Sequence, residues 1–87
     1  MSNKSLFLIL KREWYELILS GKKDKEYRDR TKYYESRFRD IKTPCECIFQ
    51  LGYSSKDRLS CIITEIDTQD DVYVLSVTNP IKLVETR

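Results

Sequence analysis

In the first part of the chain, apolar segments are followed by charged segments. Leu6–Leu10 is a continuous apolar run, which predicts a strand buried on both faces. In the next segment, Lys11–Ser20, apolar residues recur at helical spacing from Trp14 onward. This pattern predicts an amphipathic helix that places Trp14 in the core. Gly21 then stands where a glycine ends a helix in a left-handed turn.

A strongly charged segment follows this helix. The stretch KDKEYRD, residues 23–29, predicts a charged strand, since residues of this kind cannot lie unpaired in an apolar core. TKYYESRFRD, residues 31–40, predicts a short helix with Tyr34 and Phe38 four apart on its inner face. Thr43-Pro44 ends this helix, because the residue before a proline avoids helical geometry.

The second half of the chain is rich in strand patterns. Polar loops at residues 53–58 and 67–71, and Asn79-Pro80, separate the apolar segments. The predicted strands are Glu46–Tyr53, Leu59–Ile66, Val72–Val77 and residues 81–85. In the first of them Cys47, Phe49 and Leu51 share one face, which predicts a buried side.

The order of these elements predicts an α+β fold. A run of strands with the helices grouped near one end is typical of that class. In a single domain of 87 residues, five or six short strands lose their exposed edges best by curling into a small barrel. The Lys11–Ser20 helix would then plug or flank that barrel.

Charge is unevenly distributed along the sequence. Residues 21–39 contain eight Lys and Arg against four Asp and Glu, whereas the whole chain has a net charge of only +2. This local excess predicts an anionic partner near the charged strand. The total is much lower than that of a dedicated duplex-DNA binder, which needs many phosphate contacts.

The residue types that the sequence lacks exclude some kinds of catalytic and metal site. The chain has no histidine, which excludes His-based general base catalysis and Ser-His-Asp triads. Its three cysteines cannot complete a tetrahedral metal site without histidine, so we expect buried free thiols, no metal and no cofactor. The sequence has neither a secretion signal nor a membrane span, and this favours a cytoplasmic protein.

The segment from Leu6 to Arg30 resembles the ASCH domain, a member of the PUA-like superfamily that includes EVE and YTH modules. The family pattern is an apolar strand, a helix and G-x-K-x-x-E-x-R, and this motif is matched by Gly21, Lys23, Glu26 and Arg28. The stretch IFQLGYSSKDRLSCIITEI looks like the family's central hairpin, so the resemblance covers essentially the whole chain. It implies a PUA-like pseudo-β-barrel with a cleft beside the motif strand.

The resemblance also implies binding of RNA or of a modified nucleotide or nucleoside. One branch of the family hydrolyses acylated cytidines with a lysine and a threonine on this strand. Glu26 stands at that threonine position, so the branch's nucleophile is missing here. That activity is therefore not expected here; the catalytic residues stay unknown, and Lys23 and Glu26 are the candidates if the chain is an enzyme. The candidate binding residues are Gly21, Lys22, Lys23, Glu26, Arg28, Arg30, Tyr33, Tyr34, Gln50 and Tyr53.

Alternatives stay open for these residues and for the function. Glu26 and Arg28 share one face of a strand, so they either line a pocket or form a structural ion pair. One of the adjacent Tyr33 and Tyr34 must face outward. A small hydrolase or nuclease, with Glu26 as general base, is the second hypothesis. A protein-interaction module with a filled cleft and an exposed apolar patch is the third.

Overall fold

The structure, a computed structural model, describes residues 5–83 and contains seven elements. The predicted order of strands and helices is confirmed. The elements are strand β1 (Leu6–Leu10), helix α1 (Arg12–Leu19), strand β2 (Lys25–Asp29), helix α2 (Lys32–Phe38), and strands β3 (Cys45–Leu51), β4 (Arg58–Gln69) and β5 (Val72–Leu83).

All five strands form one sheet in the order β1-β3-β4-β5-β2. β1 runs parallel to β3, and the other neighbouring strands are antiparallel. The sheet curls into a half-barrel, so the α+β class with five strands and two helices is confirmed. β1 and β2 form the two edges of this sheet, and α1 connects them.

The core fills the inner face of the curled sheet. Cys47 and Phe49 are fully buried there, as the alternating pattern predicts, together with Leu59 and Leu75 from the next two strands. The prediction that β1 is buried on both faces is wrong. As an edge strand it buries Leu6, Leu8 and Leu10 but leaves its alternate residues half exposed on the outer face.

Helix α1 packs into the core through Tyr15 and Ile18. Gly21 has a φ of 81° and follows the helix as predicted, because that left-handed conformation favours glycine. The prediction that Trp14 lies in the core is wrong, since 39% of the side chain is exposed. The helix meets the sheet one residue further round, so Tyr15 takes the buried position.

Strands β4 and β5 are longer than the sequence indicated. The polar loop predicted at residues 67–71 shrinks to a turn at Asp70 and Asp71, and β5 runs on through Asn79-Pro80 instead of stopping there. The register with β4 shifts at that point, which marks a bulge that accommodates the proline inside one strand. The final predicted strand begins within β5, and its residues 84–85 lie outside the described part of the chain.

The two edges of the sheet approach each other closely enough for one side chain to bridge them. Arg28, on β2, donates a hydrogen bond from Nη2 to the Ile9 carbonyl oxygen of β1 at 2.9 Å. The backbone ladder does not close, so the barrel stays open along this line. The opening between β1 and β2 is where the candidate site lies.

Candidate functional site

A cleft of about 530 Å³ lies between the two edge strands. Its walls come from the end of β1, from α1, from β2 and from the start of α2. The lining residues are Ile9, Leu10, Lys11, Trp14, Glu26, Tyr27, Arg28, Asp29, Thr31 and Tyr34. This volume is within the range of small-molecule sites, and the lining combines charged and aromatic side chains.

Glu26 and Arg28 form a sheltered ion pair in the cleft wall. They are two residues apart on β2, so their side chains lie on the same face, as the sequence predicts. Arg28 Nε donates to Glu26 Oε2 at 3.0 Å, and Nη2 lies 3.0 Å from the same oxygen. Only 6% of Glu26 is exposed, so its carboxylate depends on these partners rather than on water.

Arg28 is fixed by three separate groups. Besides Glu26 and the Ile9 carbonyl, its Nη1 donates to Tyr34 Oη at 2.8 Å. A planar guanidinium can satisfy several acceptors at once, whereas a lysine ammonium acts as a single point charge. Arg28 therefore ties β2 to both β1 and α2 and holds the cleft walls in place.

Lys23 lies at one side of this pair and is largely enclosed. Its Nζ is 3.9 Å from Glu26 Oε1 and lies 5.3 Å and 5.0 Å from the ring centroids of Trp14 and Tyr27. Such distances allow a cation–π interaction with both rings. The side chain is therefore held between the two aromatic residues, and only 17% of it is exposed to solvent.

One oxygen of Glu26 is available to a ligand. Oε1 accepts no hydrogen bond from any residue between 5 and 83. The cation beside Oε1 is Lys23 Nζ, 3.9 Å away, and Glu26 lines the cleft. The cleft thus presents a carboxylate acceptor whose position is already fixed by Arg28.

The aromatic side chains differ in their availability. Trp14 and Tyr27 line the cleft with 39% and 52% of their surfaces exposed. Tyr34 is half buried and stacks on Phe38 at a ring-centroid distance of 5.5 Å, while Tyr33 points outward. The expectation that one of the adjacent tyrosines is exposed is confirmed. Trp14 and Tyr27 are the partly exposed rings of the cleft, and Lys23 Nζ lies over a face of each.

Other candidate residues lie outside this cleft. Gln50 is bonded to Gly52 and Arg58, and Tyr53 is 95% exposed in the β3–β4 loop. Gly21 and Lys23 border a smaller hollow of about 150 Å³.

Lys22 and Arg30 are also absent from the cleft lining. Lys22 is exposed and takes part in the turn after α1 through its backbone, which donates to the Leu17 carbonyl oxygen. Arg30 lines a separate concavity. The structure therefore brings together Glu26, Arg28, Tyr34 and the enclosed Lys23.

Sequence reasoning missed several residues of the cleft. Trp14 begins the apolar stripe of α1, and that position alone predicts a core residue. Thr31 gives a signal of its own, since a threonine before a helix commonly caps it. Its Oγ1 accepts the Tyr34 backbone N–H at 3.2 Å, which fixes the corner between β2 and α2 at the cleft rim.

The three cysteines lie in the core and not in the cleft. Cys45, Cys47 and Cys61 are buried free thiols, and Cys47 and Cys61 are direct cross-strand neighbours. Burial raises the pKa of all three thiols, that of Cys61 to about 11. A thiol kept protonated in this way is a poor nucleophile and a poor metal ligand.

Between residues 5 and 83, no group of three or more Cys, Asp and Glu side chains is placed to hold a metal ion. No helix in that range is long and apolar enough to span a membrane. No family model matches the chain, and a search of curated proteins finds no relative.

Proposed function

We propose that this chain is an ASCH-like domain of the PUA-like superfamily that binds RNA, or a modified nucleotide or nucleoside, in the cleft between β1 and β2. The observation that carries the proposal is the acceptor oxygen of Glu26, held by Arg28 inside a cleft with exposed aromatic rings. An unpaired base needs these two features, a polar group for its edge and a flat surface for its face.

Glu26 supplies the polar group in this proposal. Its Oε1 would accept a hydrogen bond from an N–H on the edge of the base, while Oε2 stays bonded to Arg28. A site built around such a buried acceptor discriminates against ligands that leave it unpaired. Bases that present an exocyclic amino group or a ring N–H are therefore preferred.

Trp14 and Tyr27 supply the surface for stacking. Their rings are exposed on the cleft, and base–aromatic stacking contributes about 1–3 kcal/mol for each base. Lys23 lies between these rings, so an incoming base must shift its ammonium or stack beside it. A ligand phosphate would give the displaced ammonium a new partner.

Fluorescence provides a direct test, because Trp14 is the chain's one tryptophan and lines the cleft. Single-stranded RNA oligomers and a panel of nucleosides are added to the protein while Trp14 emission is followed. A saturable change in emission is expected for at least one of them. Tyr27→Leu should weaken that binding about 5- to 150-fold, the equivalent of 1–3 kcal/mol.

Tyr53→Leu is the matched control. It removes the same kind of ring from a position that is 95% exposed and outside the cleft, so binding should not change. Equal effects of the two substitutions, or the absence of any bound RNA or nucleoside, would contradict the proposal. Chromatography of the same mixtures detects hydrolysis of the RNA or nucleoside. If the protein cleaves one of them and Glu26→Gln abolishes that cleavage, the chain is an enzyme and not only a binding module.

A further inference from the structure

A second concavity, of about 400 Å³, lies beside the cleft and is lined by Arg30, Lys32, Glu35, Arg39 and Tyr73. We call it the basic hollow. Helix α2 forms a wall of both concavities. Thr31 and Tyr34 line the cleft, whereas Lys32, Glu35 and Arg39 fall on the neighbouring face of the helix and line the basic hollow.

The basic hollow concentrates positive charge. Three cations face one carboxylate in its lining, an excess of two, which equals the net charge of the entire chain. A concave surface with one dominant sign of charge attracts and holds ions of the opposite sign. The geometry therefore favours an anion at this position.

The three cationic side chains of the basic hollow differ in the contacts that they make with the rest of the protein. Arg30 is fixed above the ring of the buried Tyr73, with Cζ 5.7 Å from the ring centroid, and its Nη2 lies 3.8 Å from Glu35 Oε2. The side chains of Lys32 and Arg39 make no hydrogen bond or ion pair with any residue from 5 to 83. Two cations are thus free to bind an anion beside an ordered arginine.

We propose that the basic hollow binds backbone phosphates of a single-stranded RNA whose base occupies the cleft. This inference rests on the proposed function. Residues in and next to helix α2, which is about 10 Å wide with its side chains, line both concavities, so a short strand can reach both. In a nucleic acid strand, phosphates recur at regular spacing along the backbone on both sides of each base. Arginine binds phosphate with paired N–H donors. The preferred ligand is then a strand, and an isolated nucleoside uses only half of the site.

The test compares a strand with a nucleoside. Fluorescein-labelled homopolymeric RNA octamers and the corresponding nucleosides are titrated into the wild type and into Lys32→Gln/Arg39→Gln. The variant should bind the octamer several-fold more weakly. Its dependence of log Kd on log salt concentration should be shallower by about 1.4, or 0.7 for each lost phosphate contact on a single strand. Nucleoside affinity should be unchanged.

The control is Lys56→Gln/Lys82→Gln, which removes two exposed cations outside both concavities. It lowers the net charge by the same amount, so the difference between the variants reports position and not total charge. Equal salt dependences for the two double variants would overturn the inference. Binding of an octa-aspartate peptide as tight as that of the octamer would also overturn it, since the hollow would then serve acidic polypeptides.

The two proposals fail in different ways. If the basic hollow is wrong, Lys32→Gln/Arg39→Gln matches its control while Tyr27→Leu still weakens nucleoside and octamer binding. If the cleft is wrong, Tyr27→Leu leaves both ligands unaffected, whatever the salt dependence of the octamer shows. The same set of titrations therefore separates the two outcomes.

Discussion

Arg28 is the residue whose removal tests the architecture of the cleft most severely. Arg28→Met keeps most of the aliphatic stem but removes the three contacts to Glu26, Tyr34 and the Ile9 carbonyl. Glu26 is then left as a sheltered carboxylate whose remaining cation is Lys23, 3.9 Å away. We expect the free energy of unfolding to fall.

The magnitude follows from the burial of the pair. Removing one partner of a buried ion pair costs about 3–5 kcal/mol, and the nearby Lys23 places this case at about 3 kcal/mol. The total stability of a domain of this length is about 4–13 kcal/mol. Arg28→Lys keeps the charge but reaches fewer acceptors, so it should cost about 1–2 kcal/mol.

Urea denaturation followed by circular dichroism measures these losses. With a slope of about 1 kcal/mol/M, a loss of 3 kcal/mol moves the midpoint by about 3 M. Arg12→Met is the matched control, because Arg12 forms an exposed ion pair with Glu16 at 3.5 Å. Exposed pairs of this kind contribute about 0–1 kcal/mol, so the control should change little.

A double-mutant cycle isolates the pair itself. Glu26→Gln/Arg28→Met removes the stranded charge, so its cost should be smaller than the sum of the two single costs by about 1–3 kcal/mol. Additive costs, or a loss below about 1 kcal/mol for Arg28→Met, would show that the pair does not hold the cleft.

Four other substitutions test the core and the cleft wall. Tyr15 Oη is buried without a partner in the described chain, so Tyr15→Phe should raise the unfolding free energy by about 1 kcal/mol, and a loss in urea denaturation would show that the hydroxyl is bonded. Tyr34→Phe removes the hydroxyl that accepts a hydrogen bond from Arg28 and should lower the unfolding free energy by about 1–2 kcal/mol. An unchanged urea midpoint would contradict the 2.8 Å hydrogen bond between Arg28 and Tyr34. Leu75→Ala should lower the unfolding free energy by about 3–4 kcal/mol, because the Leu75 side chain is fully buried. A loss below about 1 kcal/mol would indicate that this side chain lies at the surface. Burial raises the pKa of Cys61 from 9.0 to about 11, so the unfolded state loses this proton first and stability should fall as pH rises between these values. Cys61→Val should flatten that decline in pH-dependent melting, and an identical slope would contradict the assignment.

The periodic patterns predicted most of the fold because they reflect burial on one face. The alternation in β3 and the left-handed Gly21 follow from local rules, and both are confirmed. Burial of β1 was overestimated, since an apolar run does not reveal whether its strand is central or at an edge. The continuation of β5 through Asn79-Pro80 depends on a bulge opposite β4, and no local pattern shows that register.

The candidate site was predictable only in part for the same reason. The spacing of Glu26 and Arg28 places both on one face of a strand, and this holds at any curvature of the sheet. The approach of Ile9 and Trp14 to that face depends on how the sheet curls and how α1 crosses it. Those are properties of long-range packing, so sequence reasoning assigned Trp14 to the core and placed no residue of β1 in the site.

The central claim is that the cleft between β1 and β2 is where a nucleotide binds. Chemical-shift mapping in an NMR titration with a single-stranded RNA octamer tests it most directly, since each backbone amide and the Trp14 indole N–H report separately. Binding in the cleft should give saturable shifts concentrated at Trp14, at residues 23–31 and around Tyr34. Shifts confined to the outer face of β3 and β4, with the Trp14 indole and β2 unmoved, would contradict it.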